Sequence, residues 1–357
     1  MYTDLSAVAQ TAYSQLVDSL QAASVSRCVA DVPGSFNRKS IRGKDYWYYQ
    51  SRLLDASIKQ VYLGPHSERL QALIEARQSK LAKNSQANRQ LAALGSHAAA
   101  LGCETVIPGH LRIVNKLADE GLFRAGGILI GTHAYIAAGN MLGVRWGGSE
   151  RTQDLDFAHA GKSLSVALPS NATLDLNDAI SALEMGFAPA NSLDGVLGGS
   201  WIHPDDPSFR LDFVTPMDRS GKDLVMIPAF NAQFQALRFM EFSMEGVQQA
   251  AIFSRVGEPC LVSVPDPARM AIHKLIVSGI RSGTFANKAN KDVAQAASLI
   301  GFYAERSPSQ IVAAYEDAMN RGPKWRAALG NGIDRLRATN PTLPLPWAGT
   351  TTRFPSK

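Results

Sequence analysis

The chain has 357 residues, of which 45% are hydrophobic and 19% are charged, and its formal net charge is +5. This composition is that of a globular protein with a sizeable core and two or three structural units, and it excludes a disordered or fibrous chain. The three cysteines lie far apart, which excludes a disulfide framework and a paired structural zinc site. Because the first residues also lack a secretory pattern, we expect a cytoplasmic protein.

The first 103 residues predict a helical N-terminal region. Apolar residues recur with helical spacing over 1–25 and 46–100, which are rich in Ala, Leu and Gln. Residues 36–90 contain eleven basic and four acidic residues, so this basic segment has a net charge of +7. With the aromatic run at 46–49 it suits RNA, whose phosphates would bind the cations and whose bases would stack. The alternative is a solvated helical face whose aromatic residues pack on the rest of the protein.

Residues 104–225 mix helices and strands. A helix is predicted over 111–123 and another over 177–186, where Asn177 would be the N-cap. Further elements are predicted in the order strand 126–131, helix 132–143, strand 152–158 and strand 209–216.

The uncharged stretch 126–144 has the length of a membrane-spanning helix. Its glycines and polar residues fit a strand, a turn and a helix better, so we expect no membrane partner.

Residues 226–357 predict a mixed, mainly helical C-terminal region. Strands are expected near 249–256 and 259–265, and helices over 266–281 and 291–306. Asp266 in the capping position and Pro267 in the first turn mark the start of the first of these helices. The last twenty residues look extended.

The segment TQDLDFA, residues 152–158, places two carboxylates one residue apart in a strand. Successive side chains of a strand point to opposite faces, so Asp154 and Asp156 emerge together while Leu155 and Phe157 enter the core. Two like charges at this spacing repel each other unless a cation lies between them. The pair therefore indicates a metal site, and an exposed sheet face is the alternative.

A third carboxylate, Asp212, lies in the strand FRLDFVTP, on the face opposite its apolar residues. A charge there is costly unless it is paired, so an ion pair with the neighbouring Arg210 is the alternative explanation. Asp205 and Asp206, in a proline-flanked loop, are weaker candidates for the same role.

Gly131 and Thr132 stand where a strand turns into a helix. Free backbone N–H groups at a helix N-terminus favour an anion, and glycine lets a phosphate approach closely. The turn and the aspartates together describe a site for a nucleotide and its magnesium.

The order Gly-Thr, Asp-x-Asp and a later lone Asp resembles the nucleotidyltransferase superfamily typified by DNA polymerase beta. The segments LIGTHAYIAAGNMLGV, RTQDLDF and HKL…KANKDVAQAASLI are similar to bacterial nucleotidyltransferase-fold proteins, which are related more distantly to abortive-infection nucleotidyltransferase toxins. The resemblance covers about 105–305. It implies an α+β fold, with a nucleotidyltransferase-type mixed sheet flanked by helices, a core at 104–225, and helical N- and C-terminal regions.

The resemblance also implies roles for individual residues. Asp154, Asp156 and Asp212 would be catalytic and bind Mg²⁺ or Mn²⁺. The nucleotide-binding residues would be Gly131, Thr132, Lys274 and, with Lys288 as a further candidate, Lys291. The chain departs from the family pattern in its Gly-Thr turn and in the long gap between Asp156 and Asp212, which are 56 positions apart.

The implied activity is transfer of a nucleoside monophosphate from an NTP, such as ATP, to a hydroxyl acceptor. The basic segment favours an RNA or tRNA 3′ end, and a protein side chain or a small molecule is the alternative. A non-catalytic nucleotide-binding or nucleic-acid-binding module of the same fold is a second hypothesis. A toxin with an antitoxin partner is a biological role compatible with the first.

Overall fold

The computed structural model describes nine stretches of the chain, namely residues 2–26, 35–41, 43–52, 58–148, 152–161, 174–191, 197–218, 221–281 and 286–348. All of the predicted site residues lie inside these stretches, whereas Cys28, Arg42, Asp55 and the chain after 348 lie outside them.

The region before residue 103 contains strands as well as helices. Its elements are β1 (Tyr2–Asp4), α1 (Ala7–Ser26), β2 (Ser35–Ile41), β3 (Lys44–Arg52), β4 (Ile58–Pro65) and α2 (Glu68–Ala100). The strands β2, β3 and β4 form an antiparallel sheet, so the prediction of a helix is wrong for residues 46–52 and 58–65, and residues 53–57 lie outside the described stretches. Aromatic residues favour strands, and α2 begins only after Ser67, whose Oγ accepts a hydrogen bond from the Leu70 N–H.

A seven-stranded mixed sheet forms the centre of the molecule. Its strands are β5 (Gly127–Leu129), β7 (Asp154–His159), β8 (Ala188–Asn191), β9 (Leu197–His203), β10 (Asp206–Pro216), β11 (Leu224–Ile227) and β12 (Ala232–Leu237). The order is β11-β12-β10-β7-β5, with β9 against the first half of β10 and β8 outside β9. β10 runs parallel to β7 and β12, and the other pairings are antiparallel. The α+β prediction is confirmed, and the sheet continues past residue 225.

Short elements surround this sheet. They are α3 (Pro108–Asp119), α4 (Gly131–Met141), β6 (Val144–Trp146), α5 (Leu176–Ser181), a 3-10 turn (Pro228–Phe230), α6 (Met240–Met244), β13 (Gln248–Ile252) and β14 (Cys260–Val264). β1 pairs with β6, and β13 pairs with β14. The N-cap of α5 is Asp175, which accepts a hydrogen bond from the Asp178 N–H, so the prediction that Asn177 caps this helix is wrong.

Four helices complete the C-terminal region, namely α7 (Pro267–Ile280), α8 (Ala286–Arg306), α9 (Pro308–Asn320) and α10 (Pro323–Thr339). Asp266 caps α7 through a 2.9 Å hydrogen bond from the Arg269 N–H, as predicted. α10 crosses α7 closely, because Gly279 and Gly332 bring the two backbones together. One buried core joins the sheet to α3, α4 and these four helices.

No helix in the described stretches combines the length and the apolar character needed to cross a membrane.

Candidate functional site

The predicted carboxylates lie on two neighbouring parallel strands. In the register of β7 and β10, Asp156 is opposite Asp212, and Asp154 is opposite Arg210. The apolar residues between them, such as Leu155 and the matching residues of β10, are fully buried. The predicted alternation is therefore confirmed, and the three aspartates share one face of the sheet.

The Asp156 carboxylate lies against the start of α4. Gly131 has a φ of +65°, and a Cβ atom at this position would lie 2.1 Å from Asp156 Oδ2. The Ile130 N–H also donates a 2.9 Å hydrogen bond to the Asp156 backbone carbonyl. Only glycine fits between the helix and this carboxylate, which explains the glycine of the Gly-Thr turn.

The surroundings of Asp156 disfavour a negative charge. Burial raises the pKa of Asp156 to about 6, and the neighbouring carboxylates of Asp212 and Asp154 act in the same direction. Lys288 and Lys274 oppose this shift. A cation held between the aspartates would relieve the repulsion that these contributions express.

Asp212 already has two polar partners. The Ser200 hydroxyl donates a 2.6 Å hydrogen bond to its Oδ1 atom, and Arg210 Nε lies 3.3 Å from its Oδ2 atom. The alternative explanation of Asp212, an ion pair with Arg210, thus describes a contact that is present. Asp205 and Asp206 lie at the turn between β9 and β10, at the start of β10 and away from Asp212.

The donor set suits magnesium in its chemistry, since carboxylate oxygens are the ligands that Mg²⁺ prefers. In the described part of the chain, no three His, Cys, Asp or Glu side chains converge closely enough to hold a metal as they stand. Asp154 and Asp156 line the adjoining cavity, whereas Asp212 is turned toward Ser200 and Arg210. Asp154 and Asp156 therefore offer carboxylate oxygens to a cation in the cavity, whereas the Asp212 carboxylate is engaged by Ser200 and Arg210.

A cavity of about 800 Å³ opens beside these aspartates. Its polar wall includes Gly131, Thr132, Asp154, Asp156, Lys274, Lys288 and Lys291. Its apolar wall includes Val214, Met240, Met270 and Val277. A cavity of this size, with apolar walls and a few convergent polar groups, is typical of small-molecule and cofactor sites.

The predicted lysines occupy different positions in the cavity. Lys274 is buried, and its Nζ atom lies 3.2 Å from Asp292 Oδ1, so it is not a solvated helix residue. Lys288 is exposed, and its Nζ atom lies 3.7 Å from Asp154 Oδ2. Lys291 lies in the cavity wall one turn further along α8.

The cavity wall also contains Asp292, Arg281 and His273, which the sequence patterns did not assign to the site. Asp292 holds both Lys274 and Arg281 in ion pairs. His273 lines the cavity, burial lowers its pKa to about 4, and no described residue bonds its buried Nε2 atom. The helical spacing of Lys288 and Asp292 was a usable signal, because residues four apart share a helix face. The partnership of Arg281 with another helix had no such signal.

His133 is buried beside the Gly-Thr turn, and its Nε2 atom lies 2.9 Å from His110 Nδ1. Burial lowers the pKa of both imidazoles, to about 3 for His133 and about 4 for His110. Both imidazoles are therefore neutral at physiological pH.

A protein-family model described as "Nucleotidyltransferase" matches residues 109–320, which include every predicted site residue. The chain belongs to this nucleotidyltransferase family. No curated protein matches the sequence. Among solved structures, an antigenic nucleotidyltransferase-like protein from Paracoccidioides brasiliensis is similar, with 12% identity and a TM-score of 0.32. The match covers 64% of this nucleotidyltransferase and 95% of that chain.

Proposed function

We propose that the protein transfers a nucleoside monophosphate from an NTP to a hydroxyl acceptor, with Mg²⁺ or Mn²⁺ bound by Asp154 and Asp156. The observation that carries this proposal is the contact between Asp156 and Gly131. It brings a pair of hard carboxylate ligands to a helix N-terminus in the wall of a nucleotide-sized cavity.

The polar wall suits a triphosphate. The N-terminal N–H groups of α4 and the Thr132 hydroxyl offer hydrogen-bond donors, and Lys288 and Lys291 add positive charge across the cavity. Lys274 is buried and paired with Asp292, so we assign it to the rear of the phosphate site. The apolar wall would receive the nucleobase.

In the proposed reaction, the acceptor oxygen forms a bond to the α-phosphorus while the bond to the β-phosphate oxygen breaks and pyrophosphate leaves. Metal bound by the aspartates would neutralise charge on the phosphates. The proton of the acceptor hydroxyl passes to a carboxylate of the site, and we assign this role to Asp212. In the structure Ser200 and Arg210 hold the Asp212 carboxylate, so it would have to turn from them to receive the proton.

The sheet of β2, β3 and β4 supports an RNA acceptor. On one face the Tyr62 ring, 54% exposed, lies 5.5 Å from the Tyr48 ring and 6.1 Å from the Tyr46 ring. Lys39 Nζ lies 5.1 Å from the centre of the Tyr48 ring on the same face. Exposed rings beside cations suit stacked bases and phosphates. A protein or small-molecule acceptor is the alternative, and an antitoxin partner and a cytoplasmic location stay predictions.

The test is label transfer from each of four α-phosphate-labelled NTPs, with Mg²⁺ or Mn²⁺, to total RNA, to protein and to small molecules. We expect label in the RNA fraction with the wild type and at least a hundredfold less with Asp154→Asn or Asp156→Asn. Asp205→Asn is the matched control, because this aspartate lies outside the site, and it should keep full activity. Undiminished transfer by a folded Asp156→Asn variant would refute the site. NTP binding without transfer to any fraction would favour the non-catalytic module.

A further inference from the structure

A second cavity, of about 560 Å³, lies beside the first. Thr152 lines both cavities, and its Oγ1 atom accepts a 3.3 Å hydrogen bond from the Asp154 N–H. A group bound in the second cavity therefore borders the strand that carries the predicted metal ligands. None of the residues of the second cavity has a role in the proposed transfer.

The second cavity contains a buried carboxylate with an unused oxygen. The Glu104 side chain is only 8% exposed, and no described residue bonds its Oε2 atom. Its other oxygen, Oε1, lies 3.8 Å from Arg145 Nε, a distance too long for a strong hydrogen bond. A buried carboxylate oxygen without a donor is unfavourable, so this atom calls for a ligand that donates one.

Glu104 is held firmly in place by α4. The Glu104 N–H donates a 2.8 Å hydrogen bond to Asn140 Oδ1, and Asn140 Nδ2 donates a 2.9 Å hydrogen bond to the Glu104 carbonyl. Asn140 is itself buried near the C-terminal end of α4. The same helix that begins at the Gly-Thr turn thus fixes the backbone of Glu104, which makes this a preorganised feature.

The rim and the floor of the second cavity have different chemistry. Arg145 and Arg255, both exposed, lie at the rim, while the floor includes buried His110 and His133. No described residue bonds the buried Nδ1 atom of His133. Arginines at the rim suit a phosphate, and the polar floor suits a ring or sugar with N–H or O–H donors. One nucleotide combines both features and fits the volume.

We propose that this second cavity binds the terminal nucleotide of the acceptor RNA, with a donor of that nucleotide on Glu104 and its phosphate at Arg145 and Arg255. The inference rests on the proposed function and names the place of its acceptor. The sheet of β2, β3 and β4, which we call the basic sheet, is connected to this cavity by α2. The last turn of α2 contributes Ala99 to the cavity wall. RNA bound on the face of this sheet that carries Tyr46, Tyr48 and Tyr62 would extend along α2 toward the reaction site.

The first test is equilibrium binding of four RNA trinucleotides that differ only in the 3′-terminal base. We expect the full-length wild type to bind at least one of them and Glu104→Gln to bind it at least tenfold more weakly. The matched control is Glu120→Gln, a surface acid paired with Lys116 outside both cavities, and it should bind like the wild type. The affinity for ATP with Mg²⁺ should stay within twofold in all three proteins.

The second test uses the rim, because exposed arginines are replaced without loss of the fold. The double variant Arg145→Gln, Arg255→Gln should weaken trinucleotide binding and reduce the slope of log affinity against log salt by about 1. An unchanged slope would remove the arginines from the binding site.

Wild-type affinity in Glu104→Gln, competition between ATP and the trinucleotides, or no trinucleotide binding would each overturn the proposal. Binding of glucosamine through Glu104 in place of RNA would also overturn it and identify a small amine-bearing acceptor. In another outcome, the protein fails to bind ATP or to transfer its nucleoside monophosphate while trinucleotide binding still depends on Glu104. That result would refute the proposed function and support the RNA-binding cavity.

Discussion

The position of the Asp156 carboxylate is unfavourable to the folded protein in two ways. The surrounding protein and two like charges raise its pKa to about 6, and its contact with α4 requires a glycine of positive φ at position 131. Both costs follow from placing a charge where an opposite charge will bind. A site that is strained without its ligand is common where function depends on that ligand.

The stability of the metal-free protein should depend on Asp156. A carboxyl whose pKa rises on folding stabilises the folded state below pH 4, and this contribution is lost as the pH rises to 6. At pH 8 without divalent metal, Asp156→Asn should therefore be more stable than the wild type by about 3 kcal/mol.

Urea unfolding in EDTA at pH 5 and pH 8 measures this difference, which should be smaller at pH 5. Asp205→Asn is the control and should show no such pH-dependent gain. Equal stability of Asp156→Asn and the wild type at pH 8 would contradict the raised pKa.

Gly131→Ala should inactivate the protein through a displaced carboxylate. The added Cβ would lie 2.1 Å from Asp156 Oδ2, and a shift of about 1 Å in a catalytic group costs about a hundredfold in rate. Gly221→Ala is a matched control, because Gly221 has a φ of +67° with open space around its Cβ position. Both variants should lose about 1 kcal/mol of stability to the left-handed backbone, measured by denaturation. Comparable transfer rates in the two variants would contradict the steric role of Gly131.

The residue-scale part of the site was predictable where the period of a strand is visible. Alternation alone placed Asp154 and Asp156 on one face, and the same argument placed Asp212 opposite its apolar neighbours. The register that brings Asp212 beside Asp156 was not derivable, because β8 and β9 intervene and pairing between distant strands leaves no local pattern. The roles of these residues stay predictions.

At the scale of elements, the crossing of α7 and α10 positions the buried lysine. A Cβ on Gly332 would lie 2.1 Å from the Leu275 carbonyl oxygen, and one on Gly279 would lie 2.0 Å from the Ala328 carbonyl oxygen. The two helices are therefore in backbone contact. Lys274 precedes Leu275, so the cavity wall depends on a helix pair outside the central sheet.

Gly332→Ala should separate these helices. Overpacking at a backbone contact should cost about 3 kcal/mol of stability and raise the KM for NTP through movement of Lys274. Gly330→Ala, on an open side of the same helix, should instead add up to about 1 kcal/mol. Denaturation and steady-state kinetics of both variants check the prediction, and equal stabilities would contradict the close crossing.

The strands β3 and β4 show where sequence patterns fail at this scale. Residues 46–49 are all aromatic, so the buried Trp47 and the more exposed Tyr48 have similar hydropathy and their alternation is hidden. Because the pattern of Ala, Leu and Gln in α2 is regular, the sequence predicts a helical region that begins at residue 46, before the true start of α2 at Glu68. Asp266 and Pro267, by contrast, gave a local signal that determined the start of α7 correctly.

At the scale of the molecule, the basic sheet is separate from the main core. Among the described residues, none of the members of the three buried clusters comes from β2, β3 or β4. Trp47 is buried locally, where its Nε1 atom donates a 3.2 Å hydrogen bond to His66 Nδ1. Regions with few core contacts open more readily than the rest of a protein.

Rates of amide hydrogen exchange should therefore differ between the basic sheet and the central sheet. Amides of β3 should exchange faster than those of β7, and ATP with Mg²⁺ should slow exchange in β7 and α4 while leaving β3 unchanged. Mass spectrometry of proteolytic fragments measures both effects. Equal protection of β3 and β7 would contradict the separation.

Helix α4 touches both cavities, since it begins at Gly131 beside Asp156 and holds Glu104 through Asn140 near its other end. The eleven residues of this helix span about 16 Å. If a ligand in either cavity shifts α4, the occupancies of the two cavities are thermodynamically linked, and such linkage is reciprocal. A nucleotide in the first cavity would then change the affinity of the second cavity for its ligand by some factor. That ligand would change the affinity of the first cavity for the nucleotide by the same factor.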